Sequence, residues 1–286
     1  VNPYCAEKGI IPTTMVYIFV SHFSQTIMLL QSVCCIGAFA LLTSFAAFAA
    51  PLDNSGYTAL LAEHVKDGRV NYKAIKQDKR LTDYLDHLSK TDPKTLSGKD
   101  ELAFWLNVYN AFTLKVMCDH YPLKSITDLN SPGGAGGLVI ATVLKSTIWD
   151  KPLVEIHGKK YSLNGVENDI IRPKGDPRVH FAMVCAAKSC PPLRNEAYEP
   201  AKLNEQLEDQ GRDFLAQNKK NNFDFSKKSC NISNIFNWFK GDFEKTGKSV
   251  LQYIARFLPK EQGDMLLANA NTFSVNYTEY DWSINE

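Results

Sequence analysis

The sequence predicts an α+β fold: a single domain in which a buried central helix packs on a small, mostly antiparallel sheet. Three observations predict it. The segment from Glu101 to Leu114 carries apolar side chains around nearly its whole circumference, a pattern expected of a helix enclosed on most sides. Short extended runs flank His157-Gly158 and occupy Phe223 to Ile232, and the first of these is a strong hairpin signal. Helical and extended stretches alternate without a βαβ rhythm, which argues against a parallel sheet with crossover helices.

The chain begins with a stretch that differs from the rest. Between Lys8 and Asp53 there is no Asp, Glu, Lys or Arg, so residues 1–49 are expected to be a signal peptide or a membrane anchor, and residues 50–286 a single globular domain. Ala47-Phe48-Ala49 closes an apolar run with the small-x-small pattern of a secretory cleavage site. No basic residue stands just before that run, so the start is read as over-extended, with Met15 or Met28 as the alternative first residue. Cleavage places the domain outside the cytoplasm, periplasmic or secreted. An uncleaved span leaves it membrane-anchored through this segment alone. Elsewhere, 32 basic against 31 acidic residues exclude a strongly basic nucleic-acid binder. An aromatic content of 11% excludes disorder over most of the chain.

Asn54 to Val65 reads as a helix, with Tyr57, Leu60, Leu61 and Val65 at helical spacing. Gly68 ends it, and Arg69 to Tyr72 is an extended link. A second helix is expected from Lys73 to Ser89, broken at Asp92-Pro93. Ser97 is placed to cap the central helix, and Glu101 lies in its early turns, where the helix dipole favours an acid. Asn107 and Asn110 stand three apart on one face of that helix. Buried amides need partners, so they either tie the helix to neighbouring backbone or line a pocket.

The Gly-rich run Pro132 to Gly137 follows a helix and is read as a loop. After the 153–163 hairpin, Asn164 starts a helix with Glu167 as its capping-box partner, ending near Arg172-Pro173. Arg178 to Val184 alternates and reads as a strand. A polar amphipathic helix is expected from Pro200 to Ala216, and another helix from Lys248 to Leu258. A final strand is expected from Phe273 to Tyr277 and Tyr280 to Trp282.

The segment from His180 to Arg194 concentrates reactive residue types: an imidazole, two thiols, a hydroxyl, a lysine and an arginine. A cysteine beside a base at the end of an apolar strand is a candidate nucleophile. Pro191 removes a backbone N–H next to Cys190, whereas Cys185 is followed by Ala186 and Ala187, whose N–H groups remain free to donate. Cys185 is therefore the stronger candidate, with His180 as base. An odd separation puts these two on opposite faces of a straight strand, so the chain must turn for them to meet. Three alternatives stand beside this reading: a Cys185–Cys190 disulfide, Cys185 as a small buried hydrophobe, and His180 as a satisfied core histidine. A metal site from His180, Cys185 and Cys190 is a weaker alternative, since the spacing is not a CxxC pair and no second cluster supports it, and no cofactor is expected.

The residues Glu101-Leu102-Ala103-Phe104-Trp105-Leu106-Asn107-Val108-Tyr109-Asn110-Ala111 resemble the signature helix of the domain-of-unknown-function 547 family. Ser162 to Glu167 with Arg172, Asp176 to Ala182, Cys185 to Leu193 and the closing Tyr280-Asp281-Trp282-Ser283 continue the resemblance in the same order, and the chain looks most like the exported bacterial single-domain members. The family label carries no established activity. The resemblance implies importance for Cys185 and Ser189, and the pairing of some relatives with glutaredoxin-like modules points by association to thiol chemistry or peptide recognition.

Two functions are consistent with these residues. The first is a thiol-dependent hydrolase or transferase acting on peptide or amide bonds. Cys185 is its nucleophile, His180 its base and Glu167 the orienting carboxylate. Glu101, Asn107, Asn110 and Ser189 belong to the pocket, and Arg172 or Arg194 holds a substrate carboxylate. The second is a non-catalytic module that binds a small molecule or peptide through the same network.

Overall fold

The computed structural model describes residues 52–130 and 147–286. The fold is α+β, organised around the helix Gly98–His120. Every side chain from Leu102 to Leu114 on it is buried, which is why its sequence shows no polar face. Asp100 and Glu101 occupy its first turn, and Ser97 stands at the N-cap position without a side-chain cap bond. The helices Ser55–His64 and Lys79–Lys90 lie together, and the second also packs on the central helix. Each leucine these helices enclose contributes roughly 1.5–3 kcal/mol of burial free energy.

Among the described residues the strands form three small sheets. β1 (Val65–Lys66) and β2 (Arg69–Val70) make an antiparallel hairpin, as do β3 (Val154–Ile156) and β4 (Lys159–Tyr161). β5 (Asn222–Asp224) pairs antiparallel with β6 (Ser229–Ile232), which pairs parallel with β7 (Ser274–Tyr277). Gly68, in the first hairpin turn, adopts φ +74° and sits against Pro192, leaving no room for a β-carbon. The hairpin thus braces the loop that carries Cys190.

Several elements differ from the sequence reading. Arg178 to Val184 is not a strand: Val179–Ala182 is one helical turn, with the chain extended from Met183. The backbone N–H of Arg178 donates to the Asp176 carboxylate at the start of that turn. All six residues from Val179 to Val184 are buried, so apolar side chains on both sides mimic the alternation of a strand. The expected Lys73–Ser89 helix is split into a turn, Tyr72–Ile75, and Lys79–Lys90, because the Asp78 side chain caps a new start. The Asn164 start moves back as well. Ser162 Oγ accepts from Gly165 N–H, and the chain then widens into a π-turn, Val166–Ile171. Glu167 is therefore not a capping-box partner. The chain also contains the helices Leu203–Ala216, Val250–Ile254 and Lys260–Asn269 and the turns Ile235–Trp238 and Lys240–Glu244. The Pro132–Gly137 loop lies outside the described residues.

Among the described residues two hydrophobic clusters make the core. One surrounds the central helix, and the other is mostly aromatic, with Phe181, Phe214, Phe236, Phe243 and Phe257. The turn Val179–Ala182 joins them: Val179 and Ala182 belong to the first, Phe181 to the second. Cys185 emerges directly from this junction. Among the described residues, no helix is long and apolar enough to cross a membrane.

Candidate functional site

The central helix fixes the backbone that leads to Cys185. Asn110 Nδ2 donates to Ala182 O at 2.9 Å, and Val184 N–H donates to Asn110 Oδ1 at 3.0 Å. Asn107 does the same for another segment, donating to Tyr198 O and accepting from Tyr198 N–H, both at 2.8 Å. Both amides act as clamps on neighbouring backbone, and neither is among the residues lining the cavity described below. After Cys185 the chain turns sharply: Ala186 has φ +69°, a conformation a residue with a β-carbon rarely adopts without local support. Asn285 N–H donates to Ala186 O at 3.0 Å, supplying part of that support.

The turn brings Cys190 back onto Cys185. The two sulfurs are 2.9 Å apart, and Cys185 N–H donates to Cys190 Sγ at 3.0 Å. No bond joins the two sulfurs in this structure. The C-terminal tail adds a third group. Lys188 N–H donates to Ser283 O, and Ser189 N–H to Asp281 O, while Asp281 N–H returns to Ser189 Oγ. This lacing places the Tyr280 hydroxyl 3.6 Å from Cys185 Sγ. Ser189 therefore contributes by anchoring the tail.

The two thiols are not equivalent. The Cys185 thiol is held below its usual range, chiefly by the hydrogen bond from Cys190; Ala187 N–H and Tyr280 also help, whereas burial and the nearby Glu167 oppose. Burial pushes the Cys190 thiol well up, and its contact with Cys185 adds to the effect. Of the two, Cys185 is the thiol favoured as the thiolate. The other described cysteines are unreactive by comparison: burial pushes Cys118 up to about 12 and Cys230 up to about 11.

Cys185 and Cys190 open into a cavity of about 420 Å³, within the size range of small-molecule sites. Trp149, Tyr109 and Glu167 form part of its wall, and Trp238, Tyr280 and Trp282 another part. The last three rings pack on one another, with centroids 4.4 to 5.8 Å apart. Trp238 and Trp282 remain 36% and 41% exposed, which marks the pocket mouth.

His180 lines the same cavity but does not form a hydrogen bond with Cys185. Its Nε2 lies 2.9 Å from Asp242 Oδ2, and its ring stacks on Phe239 with centroids 4.0 Å apart. Burial lowers the imidazole's affinity for a proton more than Asp242 raises it. The expected turn of the chain does occur, but it turns Cys185 toward Cys190 and Tyr280. The carboxylate that orients His180 is thus Asp242, 62 residues away, and not Glu167. Asp242 also accepts from Arg172 Nε at 2.7 Å and Lys245 Nζ at 3.0 Å. These bonds, the one to His180 foremost, hold its carboxyl far below the usual carboxylate range.

Glu167 points elsewhere: Tyr109 Oη donates to it at 3.3 Å. Burial raises its carboxyl above the ordinary value, against the pull of Arg172 and of the Tyr109 bond. Arg172 is committed to Asp242 and Asn168, and Arg194 to Glu196 and Asp209. Neither arginine lines the cavity. Glu101 pairs with Lys174 at 2.6 Å and faces a separate surface depression with Trp105 and Tyr161. Among the described residues, one group has metal-ligand spacing: Glu63, His64 and Asp78. Arg80 already bonds both of its carboxylates.

Residues 93–215 match the family described as protein of unknown function, DUF547. The match supports that domain family. The matched span of DUF547 contains the central helix, Glu167, His180, Cys185 and Cys190, while Trp238, Asp242, Tyr280 and Trp282 lie beyond it. No curated protein and no solved structure matches the chain.

Proposed function

We propose that this protein is a thiol-dependent hydrolase or transferase acting on acyl groups in amide or peptide linkage, with Cys185 as the nucleophile. One observation carries the proposal. Cys185 Sγ borders an aromatic pocket and is met by the Cys190 thiol at 2.9 Å and the Tyr280 hydroxyl at 3.6 Å. Donors gathered on a sulfur stabilise its thiolate, and the thiolate is the reactive form. This arrangement needs no Cys–His pair: the proton-donating neighbours replace an adjacent base as the means of activation.

In the first step the Cys185 thiolate adds to the carbonyl carbon, forming an S–C bond as the carbonyl π pair moves onto oxygen. Collapse restores the carbonyl and breaks the C–N bond. The departing nitrogen takes a proton from the pocket, where the Tyr280 hydroxyl is the donor nearest the reacting sulfur in addition to the Cys190 thiol. Water then adds to the thioester, its OH going to the acyl carbon and its proton restoring the donor, and the thiolate leaves. An amine in place of water makes the same cycle a transfer.

A second reading is a binding module in which the thiols shape the pocket without reacting. The observation that favours it is the commitment of His180 to Asp242, which leaves no imidazole hydrogen-bonded to the sulfur. The apolar run ending at Ala47-Phe48-Ala49 supports an exported setting for either reading.

The test is acyl trapping. Incubation with p-nitrophenyl acetate and rapid acid quench, followed by peptide mass spectrometry, is expected to find acetyl on Cys185. Cys185→Ala is expected to abolish the adduct with an unchanged circular dichroism spectrum. Acetyl spread over surface lysines, with none on Cys185, contradicts the enzyme reading and leaves the binding module.

A further inference from the structure

The charge balance of the pocket identifies a class of ligand. Among the described residues that line it there is no Lys or Arg, while Glu167 supplies a carboxyl, Cys185 a thiol held below its usual range, and His180 an imidazole whose proton affinity burial lowers. Glu167 takes part in none of the ion pairs found among the described residues; its hydrogen-bond partner is the neutral Tyr109 hydroxyl at 3.3 Å. The nearest cation that acts on it, Arg172, spends its guanidinium on Asp242 and Asn168. Among the described residues no cation pairs directly with this carboxyl, and an acid withdrawn from water without such a partner is costly.

The remaining wall is aromatic. Trp149 lies with Tyr109 on the Glu167 side, and Trp238 and Trp282 stand at the mouth. Indole faces carry negative quadrupole density and attract cations, most strongly where water is excluded. A cleft lined by one sign of charge with low-dielectric walls also concentrates ligands of the opposite sign. Carboxyl, thiolate and ring faces therefore all favour the same kind of guest.

We infer that the pocket binds a protonated amine carried on an apolar stem, with the ammonium group at Glu167 and the stem between the aromatic walls. This rests on reading the Cys185 pocket as the working site, and it narrows that site's substrate to amine-bearing molecules. It also reverses the expectation from sequence that an arginine would hold a substrate carboxylate there.

The experiment compares three probes on the full chain: 2-phenylethylamine, its neutral analogue 2-phenylethanol, and 3-phenylpropionate. Binding is read from indole fluorescence, and from the chemical shifts of the tryptophan side-chain N–H groups as a second signal. The amine is expected to bind saturably and about tenfold or more tighter than the alcohol, a difference near 1.4 kcal/mol, with the propionate weakest. In Glu167→Gln the preference for amine over alcohol is expected to disappear. Equal binding of amine and alcohol by the wild-type protein, or tighter binding of the propionate, overturns the inference, as does the absence of saturable amine binding. The wild-type comparison decides even if the variant fails to fold. Because binding is measured without turnover, failure here is distinct from failure of the thiol chemistry, which acetyl trapping on Cys185 reports separately.

Discussion

The Cys185 and Cys190 sulfurs meet at 2.9 Å, and the contact holds the Cys185 thiol below its usual range while Cys190 is pushed up. The relation depends on the left-handed Ala186 and on the tail that bonds to it. Neither thiol alone would have this property: burial by itself pushes a thiol upward, as Cys118 and Cys230 illustrate.

Replacing the donor is expected to deactivate the acceptor. In Cys190→Ala the Cys185 thiol loses its principal stabilising bond, and its titration is expected to move to higher pH. Alkylation at neutral pH then slows by about tenfold for each pH unit that the midpoint rises. Cys190→Ser retains a donor and is expected to recover part of the rate. Stopped-flow alkylation of the two variants provides the check.

Tyr280→Phe keeps the ring in its cluster with Trp238 and Trp282 while removing the hydroxyl 3.6 Å from the sulfur. Thermal stability is expected to change by less than about 1 kcal/mol, while the Cys185 titration moves upward. A large loss of stability with unchanged thiol reactivity would assign Tyr280 to packing alone.

Asn110→Ala removes both bonds that hold the backbone on either side of Met183. Ala182 O and Val184 N–H are buried, and leaving them unpaired is expected to cost about 2–4 kcal/mol. Urea denaturation measures this directly. A cost close to zero would mean that the strained turn at Ala186 holds Cys185 without help from the central helix.

Glu167 gives a pH signature of defined sign. Its folded carboxyl is raised above its ordinary value by burial. A raised acid favours the folded state most at pH values below its unfolded pKa, and that contribution is lost as pH rises through the folded pKa. Glu167→Gln is therefore expected to be more stable than the wild type at neutral pH. The advantage should shrink in acid, where the wild-type carboxyl is protonated too. Chemical denaturation at pH 4 and pH 7 gives the comparison, and an advantage that grows in acid would contradict the assignment.

The central helix is legible in the sequence because apolar side chains from Leu102 to Leu114 cover nearly its whole circumference, a pattern that little besides an enclosed helix produces. Asn110 and Cys185 stand out because an amide inside an apolar helix and a thiol beside free N–H groups are unusual residues in unusual places. The Arg178–Val184 turn reads as a strand because burial on both sides erases the difference between a two-residue period and a helical one. Asp242 and Tyr280 are beyond the reach of local reasoning. Asp242 sits in Lys240-Gly241-Asp242, which reads as ordinary polar surface, and reaches His180 over 62 residues. Tyr280 meets Cys185 over 95 residues, carried there by backbone bonds of a tail that has no hydrophobic period of its own. The closing Tyr280-Asp281-Trp282-Ser283 lies beyond the matched span of residues 93–215, and its place is fixed by contacts: Ser189 and Asp281 lock the tail against the cysteine loop.

The most direct test of the central claim is the rate of iodoacetamide labelling at each cysteine, followed by mass spectrometry from pH 5 to pH 9 on the reduced, folded protein. The account predicts that Cys185 is labelled first, with a midpoint below that of an ordinary cysteine, about 8.5, while Cys118, Cys190 and Cys230 stay unmodified until the protein is denatured. Cys185 labelled only at or above the ordinary midpoint, or no faster than Cys190, would contradict it.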